Sequence, residues 1–264
     1  MIGAGRTVAA AGLLGLLSSV VSGCGPRMDL GSSVWWASLF ETGTFDEWTS
    51  THDGSANAVP SPPNSIKVSS DYAHHGRYAA ELVIDAPPGG DQQNTGLVRK
   101  GELLPTEAYY SAWYYLPHTI SVGTFWLLFK FRLRTDAADS TSDQEFYDIG
   151  LVNASDGSLT LRIYDHRSGL NLPLVTPPPV VPVSVWFQIE AYYRNAQDAT
   201  GRLTVWIDGR QVADVSGQPM APTPWIEWDV VNVGQNLTPS TAVVAVDDCA
   251  ISFARVGPTG VVSE

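Results

Sequence analysis

Three short runs of this chain carry residues able to do acid–base chemistry on an anionic ligand. Phe125–Arg134 reads FWLLFKFRLR, with Phe129, Phe131 and Leu133 on one side and Lys130, Arg132 and Arg134 on the other. Leu159–His166 carries Arg162, Tyr164 and His166 at alternate positions. Trp186–Arg194 sets Phe187, Ile189, Ala191 and Tyr193 against Trp186, Gln188, Glu190, Tyr192 and Arg194. Guanidinium and ammonium groups hold carboxylates through charge-assisted hydrogen bonds. Histidine titrates nearest neutral pH, and a tyrosine hydroxyl can take or give a proton. A basic stripe on a chain of net charge −12 therefore points to a local anionic ligand. The same pattern also describes a solvated sheet face that Glu190 and acidic loops neutralise.

These residues need strands to position them, because a period of two is the signature of a half-buried strand. Leu203, Val205 and Ile207 repeat the period opposite Thr204, Trp206 and Asp208, and Asp208-Gly209 is a strong two-residue hairpin turn. The spacing predicts further strands over Ile66–Ser70, Ala79–Ile84, Tyr109–Leu116, Phe146–Asn153, Trp225–Val233 and Thr241–Arg255. Pro117 ends the aromatic strand YYSAWYYL, and TPPPVVP at 176–182 is not central strand, since proline lacks the donor. Residues 53–65, 87–93 and 135–144 read as loops. No stretch keeps a helical period, so the class is all-β, a sandwich or jelly roll.

The N-terminus is not fold. Arg6, the apolar run VAAAGLLGLLSSVV and Ser22-Gly23-Cys24 form a secretory signal too short for a membrane span. The string VSGC resembles a bacterial lipobox, which implies cleavage before Cys24, lipidation of its sulfur, and a place in the cell envelope or outside the cell. Gly25 follows the cysteine, so the resemblance does not suggest inner-membrane retention. Removing residues 1–23, whose one charged residue is Arg6, takes the net charge from −12 to −13. That balance argues against nucleic acid and against anionic lipid as partners, leaving the lipid at Cys24 as the tether. Cys249 then has no partner for an internal disulfide and reads as a buried apolar residue. We expect a signal over 1–23, a tether over 24–37, one domain over 38–257, a tail over 258–264, and a monomer.

Several segments together resemble a bacterial family of concanavalin A-like jelly rolls, the polysaccharide lyases that include heparin lyase I and glucuronan lyase. The segments are FETGTFDEW, GRYAAEL, YYSAWYYLP, FWLLFKF, WFQIEAYYRN with GRLTVWIDGRQV, and VDDCAISFARVG. The likeness spans about residues 38–257. Two departures stand out. The Glu-x-Asp-x-x-Glu strand of related hydrolases is absent, and the Gln-Ile-His of alginate lyases becomes Gln188-Ile189-Glu190.

The resemblance implies one concave sheet that holds a glycan. Alternation assigns Lys130, Arg132, Arg134, Arg162, Tyr164, His166, Gln188, Glu190, Tyr192, Arg194 and Trp206 to that face. Trp113, Tyr115, Tyr192 and Trp206 could stack on sugar rings. A lyase neutralises a uronate carboxylate, here with Arg132 or Arg194, and removes the C5 proton with a base. His166 is the first choice of base, with Tyr164 or Tyr192 as the other acid–base groups. A hydrolase would need two placed carboxylates, and no spacing recommends Glu190 with Glu145 or Asp148. The resemblance also implies that first and last strands lie side by side, with Glu41 and Asp247-Asp248 holding a structural calcium. The alternatives are a non-catalytic carbohydrate-binding module and an adhesion or structural lipoprotein.

Overall fold

A computed structural model of the chain describes residues 33–52, 63–100, 104–134, 144–220 and 223–259. The signal segment, Cys24 and the loop 135–143 lie outside the described residues. Among those described, every regular element is a strand: β1 Val34–Ser38, β2 Ser50–His52, β3 Ser65–Ser69, β4 Ala79–Asp85, β5 Gln93–Arg99, β6 Glu107–Tyr115, β7 Ser121–Leu133, β8 Gln144–Asn153, β9 Leu159–Asp165, β10 Leu170–Asn171, β11 Phe187–Arg194, β12 Arg202–Ile207, β13 Arg210–Ser216, β14 Ile226–Thr238 and β15 Thr241–Ser252.

They form two antiparallel sheets. The first runs β13-β12-β11-β6-β15-β4-β3, with β1 also paired to β15; the second runs β10-β9-β8-β7-β14-β5-β2. First and last strands do lie side by side, Val34 opposite Ser252 and Ser38 opposite Cys249. The sandwich thus begins at Val34, inside the segment read as tether. The Asp208-Gly209 hairpin forms as expected, with φ of 47° and 75° at its two residues. TPPPVVP contributes one isolated bridge, Thr160 to Val180. Four strands were not expected: β1, β2, β5 and the two-residue β10.

The alternation that marks β7 and β11 also builds the core. Phe187, Ile189, Ala191 and Tyr193 of β11 are fully buried, as are Phe129 and Phe131 of β7. They meet between the sheets, where Phe131 stacks on Tyr193 at 4.4 Å and Tyr110 meets Trp228 edge-on at 5.5 Å. Asn232 is a polar tie across this interior. Its Oδ1 accepts from Trp126 Nε1 at 2.8 Å, and its Nδ2 donates to the carbonyls of Leu82 and Ala242, both at 2.9 Å. Asn232 belongs to the second sheet and the two carbonyls to the first, so one buried amide bridges both.

Candidate functional site

The expectation that the polar candidates share one face is not met. Strands β7 and β9 belong to the second sheet; β6, β11 and β12 belong to the first. Both sheets point their apolar sides at the common core, so their polar sides lie on opposite outer surfaces. Lys130, Arg132, Arg134, Arg162, Tyr164 and His166 occupy one. Gln188, Glu190, Tyr192, Arg194, Trp206, Trp113 and Tyr115 occupy the other. Alternation tells which residues of a strand share a side, but not which sheet the strand joins.

On the second sheet, cross-strand pairing lines the charges up. Tyr164 of β9 lies opposite Asp148 of β8, Asp148 opposite Lys130 of β7, and Lys130 opposite Asp229 of β14. One step along, Arg132 lies opposite Glu227. Directly opposed residues project to the same side at close range. His166, just beyond the end of β9, places Nε2 2.8 Å from Asp148 Oδ2. Tyr164 stands edge-on to the same imidazole at 4.8 Å, with the Arg162 guanidinium 5.4 Å from its ring centre.

Beside this pair lies a buried ionic cluster. Lys130 Nζ is 3.9 Å from Asp148 Oδ1. Arg132 is 3.5 Å from Glu227 Oε1 and 3.7 Å from Asp229 Oδ2, while Lys100 and Arg134 approach Glu227 Oε2 at 3.6 and 3.9 Å. Asp229 is fully buried and neither of its carboxylate oxygens accepts a hydrogen bond. Burial first, and then the neighbouring Glu227, push its carboxyl well above the usual carboxylate range, against the opposing pull of Arg132 and Lys130. Glu227 and Asp229 were missed from sequence. The signal was the Glu-Trp-Asp alternation that opens β14, which reverses the polar and apolar sides of that strand.

On the first sheet, several candidates turn out to be structural. Glu190 is fully buried: Oε2 accepts from Arg255 Nε at 2.9 Å, and Oε1 from the backbone N–H of Val256 and Gly257 at 2.7 and 3.3 Å. Gln188 donates to the Gly257 carbonyl at 2.9 Å. Both therefore clamp the C-terminal segment. Arg194 is 3.8 Å from Glu107, and Tyr192 donates to the same carboxylate at 2.5 Å. Burial and that acceptor push the Tyr192 hydroxyl up to about 12, which disfavours it as a base near neutral pH. Trp206 lies under Arg255 at 4.5 Å, Trp113 lies under His74, and Tyr115 packs on Tyr72 and Trp186. What remains open on this surface is an aromatic strip of Tyr109, Tyr192 and Trp206 beside Phe253, which is 59 % exposed.

The expected calcium set does not converge. Glu41 Oε1 accepts from the backbone N–H of Arg77 and Tyr78 at 2.8 and 3.0 Å. That carboxylate sits so close to Gly76 (φ 70°) that a Cβ there would collide with it. Asp247 Oδ2 accepts from the N–H of His74 and His75, and Oδ1 from the N–H of Asp248. Among the described residues, the side-chain donors that meet within 4.8 Å are His74, His75 and Asp248. Calcium takes six to eight oxygens, and a pair of imidazoles with one carboxylate is a poor match for it.

No protein-family model matches the chain, and no curated protein is significantly similar to it in sequence. Solved structures are similar in fold. An endo-β-1,4-glucuronan lyase from the fungus Trichoderma reesei superposes with a TM-score of 0.65 at 16% identity, over 86% of this chain and 99% of that one. A cellulose-induced protein, Cip1, does so at 0.57 and 17%, over 84% and 98%. A marine alginate lyase from Aplysia kurodai gives 0.54 and 10%, over 84% and 99%. At such identities the likeness is one of fold, and it agrees with the jelly-roll sandwich read from the sequence.

Proposed function

We propose that this chain binds an acidic polysaccharide on the outer surface of the second sheet and cleaves it by β-elimination. The observation that carries the reading is the His166–Asp148 pair, set in one cross-strand row with Tyr164 and Lys130 and one step from Arg132. Two of the similar folds are named as a glucuronan lyase and an alginate lyase, which supports the substrate class. In this reading Arg132, the less buried of the two, holds the uronate carboxylate and draws charge from C5, while Lys130 adds its positive charge from within the buried cluster. His166 takes the C5 proton, and Asp148 fixes the ring and stabilises the imidazolium that forms. The C5–H electron pair becomes the C4–C5 double bond, the C4–O bond breaks, and Tyr164 gives its proton to the leaving oxygen.

The test is ultraviolet absorbance of the unsaturated uronate while the purified protein is incubated with a panel of uronate polymers. Growth of that band on one polymer supports the reading and names the substrate class. A flat trace with retained glycan affinity favours a second one, a non-catalytic glycan-binding module. The aromatic strip of Tyr109, Tyr192, Trp206 and Phe253 on the other surface favours that alternative. We also read residues 1–23 as an export signal and Cys24 as the lipid attachment point; the N-terminal mass of the mature protein from a membrane fraction tests both.

A further inference from the structure

We propose that His74, His75 and Asp248 form a binding site for a d-block divalent cation such as zinc, on the surface opposite the glycan face. The proposal is independent of the glycan reading. It starts from a break in the first sheet. Along one edge, β15 pairs with β4 as far as Val246, and with β1 only from Cys249 onward. Between them the ladder to β6 shifts register, and Asp248 takes a left-handed φ of 45°. A non-glycine residue at such a φ is uncommon and is held by its surroundings. The loop from β3 to β4, carrying His74 and His75, closes over this break.

Its ligand atoms are held in place from behind. Asp247 Oδ2 accepts the backbone N–H of His74 at 2.8 Å and of His75 at 3.3 Å. The His74 ring stacks on Trp113 at 3.8 Å and abuts the His75 ring at 4.1 Å. Both Nδ1 atoms point at one oxygen, Asp248 Oδ2, from 2.6 and 2.5 Å. Partners that orient ligands in this way are characteristic of metal sites.

Charge gives the second argument. Asp247 and Asp248 are adjacent and almost wholly buried, and among the described residues no lysine or arginine reaches either of them. A buried carboxylate pair is strongly unfavourable unless a cation or a proton offsets it. Two imidazoles and one carboxylate are the donors that zinc and its neighbours prefer, and they leave coordination positions open. The imidazole side chains are 15% and 32% exposed, which gives an ion a way in. Metal–ligand bonds of about 2.0–2.2 Å require the three atoms to spread to about 3.3 Å apart. The half-exposed His75 side chain is the one with room to move.

The test uses the full chain after chelator treatment, titrated calorimetrically with zinc and spectroscopically with cobalt(II), with calcium as competitor. The expected result is one zinc per chain, cobalt d–d bands that zinc abolishes, and no displacement by calcium. His75→Ala should weaken zinc by about tenfold or more, and Asp248→Asn should do the same, while His166→Ala leaves it unchanged. His75→Ala removes a half-exposed ring, and its circular dichroism spectrum reports whether it remains folded. Absence of saturable zinc uptake by the wild-type chain would overturn the proposal. So would uptake that His75→Ala leaves intact, or displacement of zinc by equimolar calcium.

Discussion

Replacing Glu190 separates the structural account of the first sheet from a functional one. From sequence this residue was a candidate ligand contact; in the fold its carboxylate is sealed beneath the C-terminal segment. Glu190→Gln keeps the volume. The amide oxygen can still accept from Val256 and Gly257, but its NH2 then faces the Arg255 Nε–H, donor against donor. One charge-assisted bond is lost, worth about 1.5–3 kcal/mol. Arg255 is 30% exposed and can turn toward water, which keeps the loss near the lower end. Glu190→Ala removes all three acceptor contacts and leaves two backbone N–H groups without a partner. Breaking a buried pair costs about 3–5 kcal/mol, and the partial exposure of Arg255 brings the expectation to about 3–4. For a domain of this size that lowers Tm by about 6–16 °C. Thermal and urea unfolding followed by tryptophan fluorescence measure both variants. Turnover per folded molecule should not change. A variant as stable as wild type that has lost turnover or glycan affinity would return Glu190 to the site.

Three further outcomes follow from the same geometry. Asn232→Ala removes the partner of the Trp126 N–H and of two carbonyls between the sheets, a loss of at least about 3 kcal/mol at about 1–3 for each of the three groups; a double-mutant cycle with Trp126→Phe should show coupling. Asp148→Asn should lower turnover by about 10²–10⁴ with little change in glycan affinity, because it removes the anion that orients His166. Asp229→Asn bears on pH. A carboxyl whose folded pKa is raised contributes stability that is fully present below the ordinary carboxylate range and is lost as pH climbs toward the raised value. The Asp229→Asn variant, permanently neutral at that position, should therefore gain in stability relative to wild type from acid toward alkaline pH, as the difference between their urea midpoints across that range would show.

Much of the fold could be read from period-two alternation, because a half-buried strand must alternate. The hairpin of β11 and β12, the turn at Asp208-Gly209 and the polar stripe of β7 all carry that mark. Strand β5 does not. Its QNTGLVR has no alternation to follow, and Gly96 is required because a Cβ there would press into Val231 of β14. The site was only half readable for a different reason. Alternation is a property of one strand, whereas a site is a property of the sheet that several strands join. His166, Tyr164, Lys130 and Arg132 were found because each stands out in its own strand. Their acidic partners Asp148, Glu227 and Asp229 became visible only through cross-strand register. Glu190, Gln188 and Trp206 looked equivalent to them in sequence and were merged with them, although they face the other way and hold the C-terminus.

The most direct measurement of the central claim is the rate of unsaturated-uronate formation by wild type and His166→Ala on a panel of uronate polymers, with glycan affinity measured in parallel. Absorbance should rise on one polymer and be abolished in the variant while affinity is kept. A flat wild-type trace across the panel, or a variant as active as wild type, would contradict it.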